Sequence, residues 1–412
     1  MPILFLIVFI DLVGFGLVIP LLPFYAERFA ASPLQMTTLF ATFSLMAMVT
    51  APLWGRLSDR VGRRPVLMVS MAAAVVAYGW LAFADRLWMV FAARAFAGAC
   101  AGNIAAAQAY IADVTAPEDR ARGMGMIGAA FGLGFIIGPV LGGVIAGDDL
   151  ATADLQTPAL IAAGLSLIAC LGVIFALRES RSPGHGFAAR GRVAAAREAF
   201  ARPVLARLLV VFFLAILAFS GMETTFAWWA IAQFGWGPRP IGFVFFYCGL
   251  LLALMQGVLI GPLTRRIGEE RLVIAGLGLI AIGLVALPFT RALPPLLFSL
   301  SALSLGMGAM QPSLNSLISR RAGADQQGEV LGVAQSVTAL SRVLGPLIAG
   351  ALFNVLGRGS PFLAGALLVG GALLIAWRLP RPLSTAPTPM ATSPVAPGPR
   401  APRPQPPLGP AE

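Results

Sequence analysis

Apolar stretches closed by short clusters of arginine, glycine or proline recur along the whole chain and predict helices. Twelve of them lie near residues 2–24, 36–54, 65–84, 87–112, 123–147, 158–177, 207–231, 240–264, 272–290, 292–319, 328–357 and 359–377. Each is long enough for a helix to cross ~30 Å of hydrocarbon, which takes about 20 residues. The expected fold is an all-α polytopic membrane protein.

The pattern repeats at an offset of about 206 residues: Gly55-Arg-Leu-Ser-Asp-Arg-Val-Gly-Arg-Arg-Pro65 returns as Gly261-Pro-Leu-Thr-Arg-Arg-Ile-Gly-Glu-Glu-Arg271. Gly138-Pro139 with Gly142 returns as Gly345-Pro346 with Gly350, and Ile111-Ala-Asp113 as Ile318-Ser-Arg320. Such order implies two six-helix bundles, 1–177 and 207–378, related by pseudo-twofold symmetry, with a substrate path between them. The linker, 178–206, is basic, with seven arginines from Arg178 to Arg207. Within it, Ala188 to Phe200 reads either as a short amphipathic surface helix or as a solvated basic loop. Residues 379–412 hold 12 prolines and few apolar residues beyond alanine, so a disordered tail, dispensable for transport, is expected.

Composition removes other classes. The chain is 58% hydrophobic and 11% charged, outside the range of soluble domains. Its net charge of +11 does not imply nucleic acid, because position explains it. With both termini in the cytoplasm, 22 of the 29 basic residues fall at cytoplasmic ends and loops. Five (Arg28, Arg86, Arg239, Arg291, Arg358) face outward and two lie within spans, which is the positive-inside bias. The first stretch has no basic leader and no cleavage site and reads as a retained helix. Cys100, Cys170 and Cys248 all fall in spans, and the one histidine, His185, lies in a polar loop. No metal site, disulfide framework or cofactor is therefore expected. Lysine is absent, so a phosphate-binding G-x-x-x-x-G-K-[ST] loop is impossible. The spans also lack the nucleophile–base set that an intramembrane enzyme needs.

Four ionisable residues sit inside the spans: Asp11, Arg94, Glu223 and Arg342. A charge at that depth costs roughly 2.5–3.5 kcal/mol on insertion scales and usually marks an ion or substrate path. They form two acid–base couples, one in each half. Asp11 lies about 14 Å from the start of its helix, and Arg94 roughly 10 Å from the other end of its own, within side-chain reach. A movement of one against the other would switch the carboxylate between holding and releasing a proton; a static ion pair is the alternative. Glu223 and Arg342 lie at similar depth, and Glu223 reads equally as a second proton carrier or as an acid near the outer interface.

In the loop from Gly55 to Arg64, Gly55 and Gly62 suit a tight turn and close helix approach. Asp59 suits a helix N-terminus. Arg60, Arg63 and Arg64 can reach Asp113 at the end of the fourth span. In the fifth span Gly134, Gly138, Pro139, Gly142 and Gly143 permit close packing and a bend. Gln256, Gln311 and Asn315 are candidate polar substrate contacts, with Phe243, Phe246, Met255, Met307 and Met310 as candidate walls for a lipophilic ligand. Helix packing is the plainer alternative for each. Trp228, Trp229 and Trp236 read as interfacial belt residues.

The Gly55–Arg64 run, G-x-L-x-D-R-x-G-R-R between two spans, resembles the signature loop of the major facilitator superfamily, and the likeness extends over 1–378. Gly134 to Gly143 resembles that family's antiporter motif. Within the family the chain is most similar to the tetracycline-efflux branch of 12-helix drug–proton antiporters. The likeness is carried by Asp11–Pro20 with Pro23, Gly55–Leu67, Ala109–Thr115, Glu118–Arg122, Phe131–Gly143, Gln256 and Gly261-Pro262. It implies a monomer of the bacterial inner membrane that exports lipophilic small molecules in exchange for protons by alternating access. The Gly55–Arg64 loop would then latch the cytoplasmic side. Proton-coupled uptake, or transport of a sugar or metabolite on the same fold, is the alternative. The chain departs from that branch at Ala77, Leu252 and Ile280, where intramembrane Asp, His and Asp are usual.

Overall fold

The computed structural model describes residues 2–115, 120–180, 192–322 and 326–378. The expected Pro-rich tail, the front of the linker and the Glu118-Asp119 pair lie outside these residues. Twelve helices are long and apolar enough to cross a membrane. Six form the first half: Pro2–Arg28, Pro33–Val61, Arg63–Ala82, Leu87–Val114, Gly123–Ala146 and Gln156–Ala176. The second half holds Pro203–Phe234, Pro238–Ile267, Glu269–Phe289, Leu293–Ala322, Gln327–Leu356 and Ser360–Trp377. The second, seventh and eighth overrun the apolar stretches that announced them, because polar end turns continue the helix.

Local chemistry explains the ends. Ser32 and Gln35 form a reciprocal capping box at the start of the second span, with Pro33 at the first helical position. Asp154 accepts the Gln156 and Thr157 backbone N–H groups at 3.0 and 2.9 Å and caps the sixth span. The turns at Gly62 and Gly268, which the repeat aligns, have φ of +103° and +84°, a region that favours glycine.

Small residues then set the helix crossings. A methyl group added to Gly138 would meet the Gly16 backbone at 2.6 Å, and one added to Gly134 would meet Leu12 at 2.8 Å. In the second half Gly345 stands in the same way against Leu217 at 2.7 Å, beside Gly221. Gly276 and Gly306 face one another where the ninth and tenth spans cross. The halves meet along two seams, fifth span on eighth and second on eleventh. At the end away from the Gly55–Arg64 turn, Gly143 touches Pro238 and Arg239, Gly242 touches Pro139, and Gly350 touches Leu34 and Thr37. Arg239 also pairs with Asp148 across this seam at 2.6 Å. Toward the basic end the same four spans separate: Gly55, Gly125, Gly128, Gly132, Gly257, Gly261, Gly328 and Gly332 have no neighbour within 4 Å. The molecule is therefore open at its basic end and closed at the other.

One expectation needs correction, and one open choice is resolved. Trp229, read as an interfacial residue, is 2% exposed and packs edge-on against Phe234 and Phe362. Indole area wins more from this aromatic core than from an interface. The linker's choice between helix and solvated loop falls to a helix, Arg192–Ala201, with Ala199 buried. It docks on the second half: Gln326 donates to Glu198 at 2.9 Å, and Arg202 donates to the Ala322 carbonyl at 3.3 Å.

Two stability effects follow. Gly138→Leu should cost about 1–3 kcal/mol by overpacking against Gly16, whereas Gly132→Leu should be tolerated, as thermal unfolding in detergent would show. Thr157 holds the Asp154 carboxyl below its usual range through its hydroxyl and backbone N–H. The folded state thus binds that proton less readily than the unfolded chain, so the cap's stabilisation is present at neutral pH and lost as pH falls through the carboxylate range. Asp154→Asn should flatten that part of the stability–pH curve.

Candidate functional site

The fourth span is not one helix. It runs Leu87–Ala99, stops, and restarts as Asn103–Val114. The run Gly98-Ala-Cys-Ala-Gly102 carries the break, with Gly98 pressed onto the Phe43 backbone. Neighbours satisfy the freed groups, as an apolar surrounding demands. Trp54 Nε1 donates to the Ala99 carbonyl at 2.7 Å, and Ser70 Oγ accepts the Gly102 N–H at 3.2 Å. Asn103 opens the restarted half-helix; its Oδ1 accepts the Ile104 N–H at 3.0 Å.

That half-helix start faces Asp11. Asn103 donates its Nδ2 hydrogen to Asp11 Oδ2, and Ser166 Oγ donates to Oδ1 at 3.4 Å. Asp11 is 6% exposed and enclosed by the first, fourth and sixth spans. Two neutral donors and the positive end of a half-helix face the carboxyl there, while its burial works against the charge. Sequence reading missed Asn103 and Ser166; the small-residue run followed by Asn in an apolar stretch was the available signal.

Arg94 does not pair with Asp11, contrary to expectation. It is 4% exposed, and its guanidinium lies over the Phe43 ring at 4.3 Å. No carboxylate lies within 4 Å of it among the described residues, and its Nε has no partner. The reason is depth: Arg94 sits nine residues before Asn103, which at full helical rise is roughly 13 Å away along the span. Tyr78 interacts electrostatically with both Asp11 and Arg94. In the second half, Glu223 is half-buried and Arg342 exposed. They interact through space but form no ion pair among the described residues, which answers the contact that their similar depth left open.

The substrate candidates divide. Met255, Met307 and Met310 are 6%, 6% and 0% exposed and are helix-packing core rather than cavity wall. Gly308 and Gly276 leave the notches into which Met255 and Met310 fit. A π-helical turn at Met255–Leu259 turns Met255 inward and leaves Gln256 exposed. Gln311 and Asn315 are half-buried on the tenth span. Phe243 is 50% and Phe246 36% exposed. Phe245, which meets Phe226 edge-on, marks the inward face of the eighth span. Phe243, two residues before it, falls on roughly the opposite side of that helix. Ala77 and Ile280 are buried at 3% and 0%, and Ile280 seats against Gly306.

At the basic end, Arg63 bonds Asp113 at 2.9 Å and Asp59 at 2.7 Å. Asp59 was expected to cap a helix start; Glu179 takes that place, accepting the Arg63 and Arg64 N–H groups at 2.9 and 3.1 Å. Arg64 donates to the Val173 and Ile174 carbonyls at the end of the sixth span, and Arg60 is exposed. The second half repeats the clasp with its charges exchanged. Glu269 and Glu270 begin the ninth span and meet Arg320 and Arg321, ending the tenth, at 3.6 and 3.7 Å. In the fifth span Gly134, Gly138 and Gly142 pack on the first span, while Pro139 and Gly143 pack on the eighth.

Comparison with known proteins agrees with this architecture. The chain matches the Major Facilitator Superfamily over residues 4–346 and 257–408. It is 35% identical over 380 residues to the tetracycline resistance protein, class C, of Escherichia coli, covering 89% of this chain and 92% of that protein. It is 29% identical to multidrug resistance protein 2 of Bacillus subtilis (strain 168), covering 90% and 93%. The crystal structure of the human organic anion transporter MFSD10 (TETRAN) superposes with a TM-score of 0.68 at 28% identity, covering 91% of this chain and 98% of that one. Twelve helices long enough to cross a membrane, together with these matches, make this a multi-pass membrane transporter. The chain belongs to the major facilitator superfamily.

Arg63 and Asp113 are 12% and 28% exposed, so their pairing should be measurable but small. A double-mutant cycle with Arg63→Gln and Asp113→Asn should give a coupling of about 0.5–1 kcal/mol in thermal unfolding.

Proposed function

We propose that this protein exports lipophilic small molecules across the bacterial cytoplasmic membrane in exchange for protons. The observation that carries the reading is Asp11, a carboxyl enclosed by three spans at the break of the fourth helix, with no cation paired to it. A group held by a few neutral donors can take up a proton with little rearrangement, whereas a buried ion pair resists it. Relatives named for tetracycline and multidrug resistance support export and a lipophilic cargo.

On this reading 1–177 and 207–378 rock as two lobes about a central cavity, and the open basic end faces the cytoplasm. Asp11 is the principal proton carrier, and Glu223 beside Arg342 a second. Gln256, Gln311 and Asn315 offer polar contacts to the cargo. The Arg63–Asp113 and Glu269–Arg320 clasps hold the cytoplasmic ends of the helix pairs in register as the lobes move. The small-residue face of the fifth span lets the seam with the eighth close tightly at the outer end. The protein acts as a monomer with both termini in the cytoplasm.

Two experiments test this. Everted vesicles given a pH gradient should accumulate an amphipathic dye, and Asp11→Asn should abolish it; accumulation at the wild-type rate in Asp11→Asn removes Asp11 as the carrier. For the rocking motion, a disulfide between Asp148→Cys and Arg239→Cys, which adjoin across the outer seam where the Arg239 N–H meets the Gly147 carbonyl at 3.1 Å, made with the three native cysteines replaced, should hold that seam shut. Transport should then stop on oxidation and return on reduction. Undiminished transport in the fully cross-linked protein would exclude alternating access through that seam.

A further inference from the structure

Arg94 is a buried cation that the proton exchange does not occupy. Its Nε finds no acceptor, no carboxylate approaches within 4 Å, and none of its hydrogens reaches a protein acceptor among the described residues. Asp11, the acid expected to answer it, is bonded to Asn103 and Ser166. Burying a guanidinium without a counter-ion is costly, and membrane proteins retain such a group where an anion meets it. The face of Phe43, 4.3 Å away, eases the cost but supplies no lone pair.

The surroundings describe the anion. Phe43 meets Phe15 at 5.7 Å, Phe15 meets Phe135 at 6.0 Å, and Phe135 meets Phe131 at 6.5 Å between ring centres. These four rings come from the second, first and fifth spans and are all half-buried, so none is sealed in the core. Tyr78, 8% exposed, interacts electrostatically with Arg94, and its hydroxyl makes no hydrogen bond among the described residues. Unspent donors therefore stand at the head of a run of aromatic rings. A planar fork of N–H groups fits a carboxylate or another delocalised oxyanion, and the rings fit a flat apolar body.

We infer that Arg94, Tyr78, Phe43, Phe15 and Phe135 form a subsite for lipophilic aromatic anions, with Arg94 holding the acid group. The inference rests on the proposed transport of lipophilic cargo and narrows its class. It assigns Asp11 to the proton and Arg94 to the substrate.

The probe is 1-pyrenebutyrate, compared with its neutral methyl ester, and binding to the purified full chain is read by energy transfer from tryptophan without any pH gradient. The acid should bind at least tenfold more tightly than the ester. Arg94→Gln should erase that preference, Arg94→Lys keep part of it, and Tyr78→Phe reduce it. Arg56→Gln, an exposed cation at the basic end, should leave it unchanged. Equal affinity of the wild-type protein for acid and ester overturns the proposal without need of a variant. So does an intact preference in folded Arg94→Gln, or its loss in Arg56→Gln, which would mark general attraction to a basic protein. Asp11→Asn separates the two readings. A preference surviving there supports the subsite even if the vesicle assay denies proton exchange, and a preference lost there would reassign anion selectivity to Asp11.

Discussion

Backbone and side-chain polar groups inside an apolar slab must find their partners within the protein, and the rest of this molecule is arranged around one place where that demand is hardest to meet. The fourth span interrupts its own hydrogen-bond ladder between Ala99 and Asn103. Trp54 and Ser70 mend it from the second and third spans. The restarted helix then offers Asn103 and its positive end to Asp11 on the first span. Four helices are tied together by these bonds, and the carboxyl ends up in a neutral, donor-rich enclosure.

The remaining packing serves to bring helices close enough for such bonds. Gly16 on Gly138, Gly345 beside Gly221, and Gly276 on Gly306 bring backbones into contact where lipid offers no hydrophobic drive to pack. The seams between halves use the same device at one end only, with Gly143, Gly242 and Gly350 in contact and Gly125, Gly257 and Gly332 apart. A pair of lobes joined through glycine contacts can separate without breaking many polar bonds. On the closed side Arg239 is a polar exception, pairing with Asp148 through its side chain and donating its backbone N–H to the Gly147 carbonyl at 3.1 Å.

The two clasps at the basic end show how a repeat can keep a structure while exchanging its chemistry. Arg63 with Asp113 and Glu269 with Arg320 occupy matching positions with opposite sign. The attraction is the same, so the geometry survives. The helix start differs, however: Arg63 and Arg64 need Glu179 to answer their N–H groups, whereas Glu269 and Glu270 carry favourable charge at theirs.

Much of this was legible in the chain alone. Twelve spans, the 206-residue repeat, the Gly55–Arg64 loop and the four intramembrane charges all follow from local composition, because crossing a bilayer constrains each segment separately. Reading by proximity failed where depth and rotation decide. Arg94 and Asp11 lie on facing helices but at different levels, and a helix break set the partner of Asp11. Met255, Met307 and Met310 suit a ligand or a neighbouring glycine equally well by type, and only the crossings with Gly308 and Gly276 assign two of them to the core. Composition determines that a segment enters the membrane; the relative height and rotation of packed helices, a property of several segments at once, decide which side chains meet there.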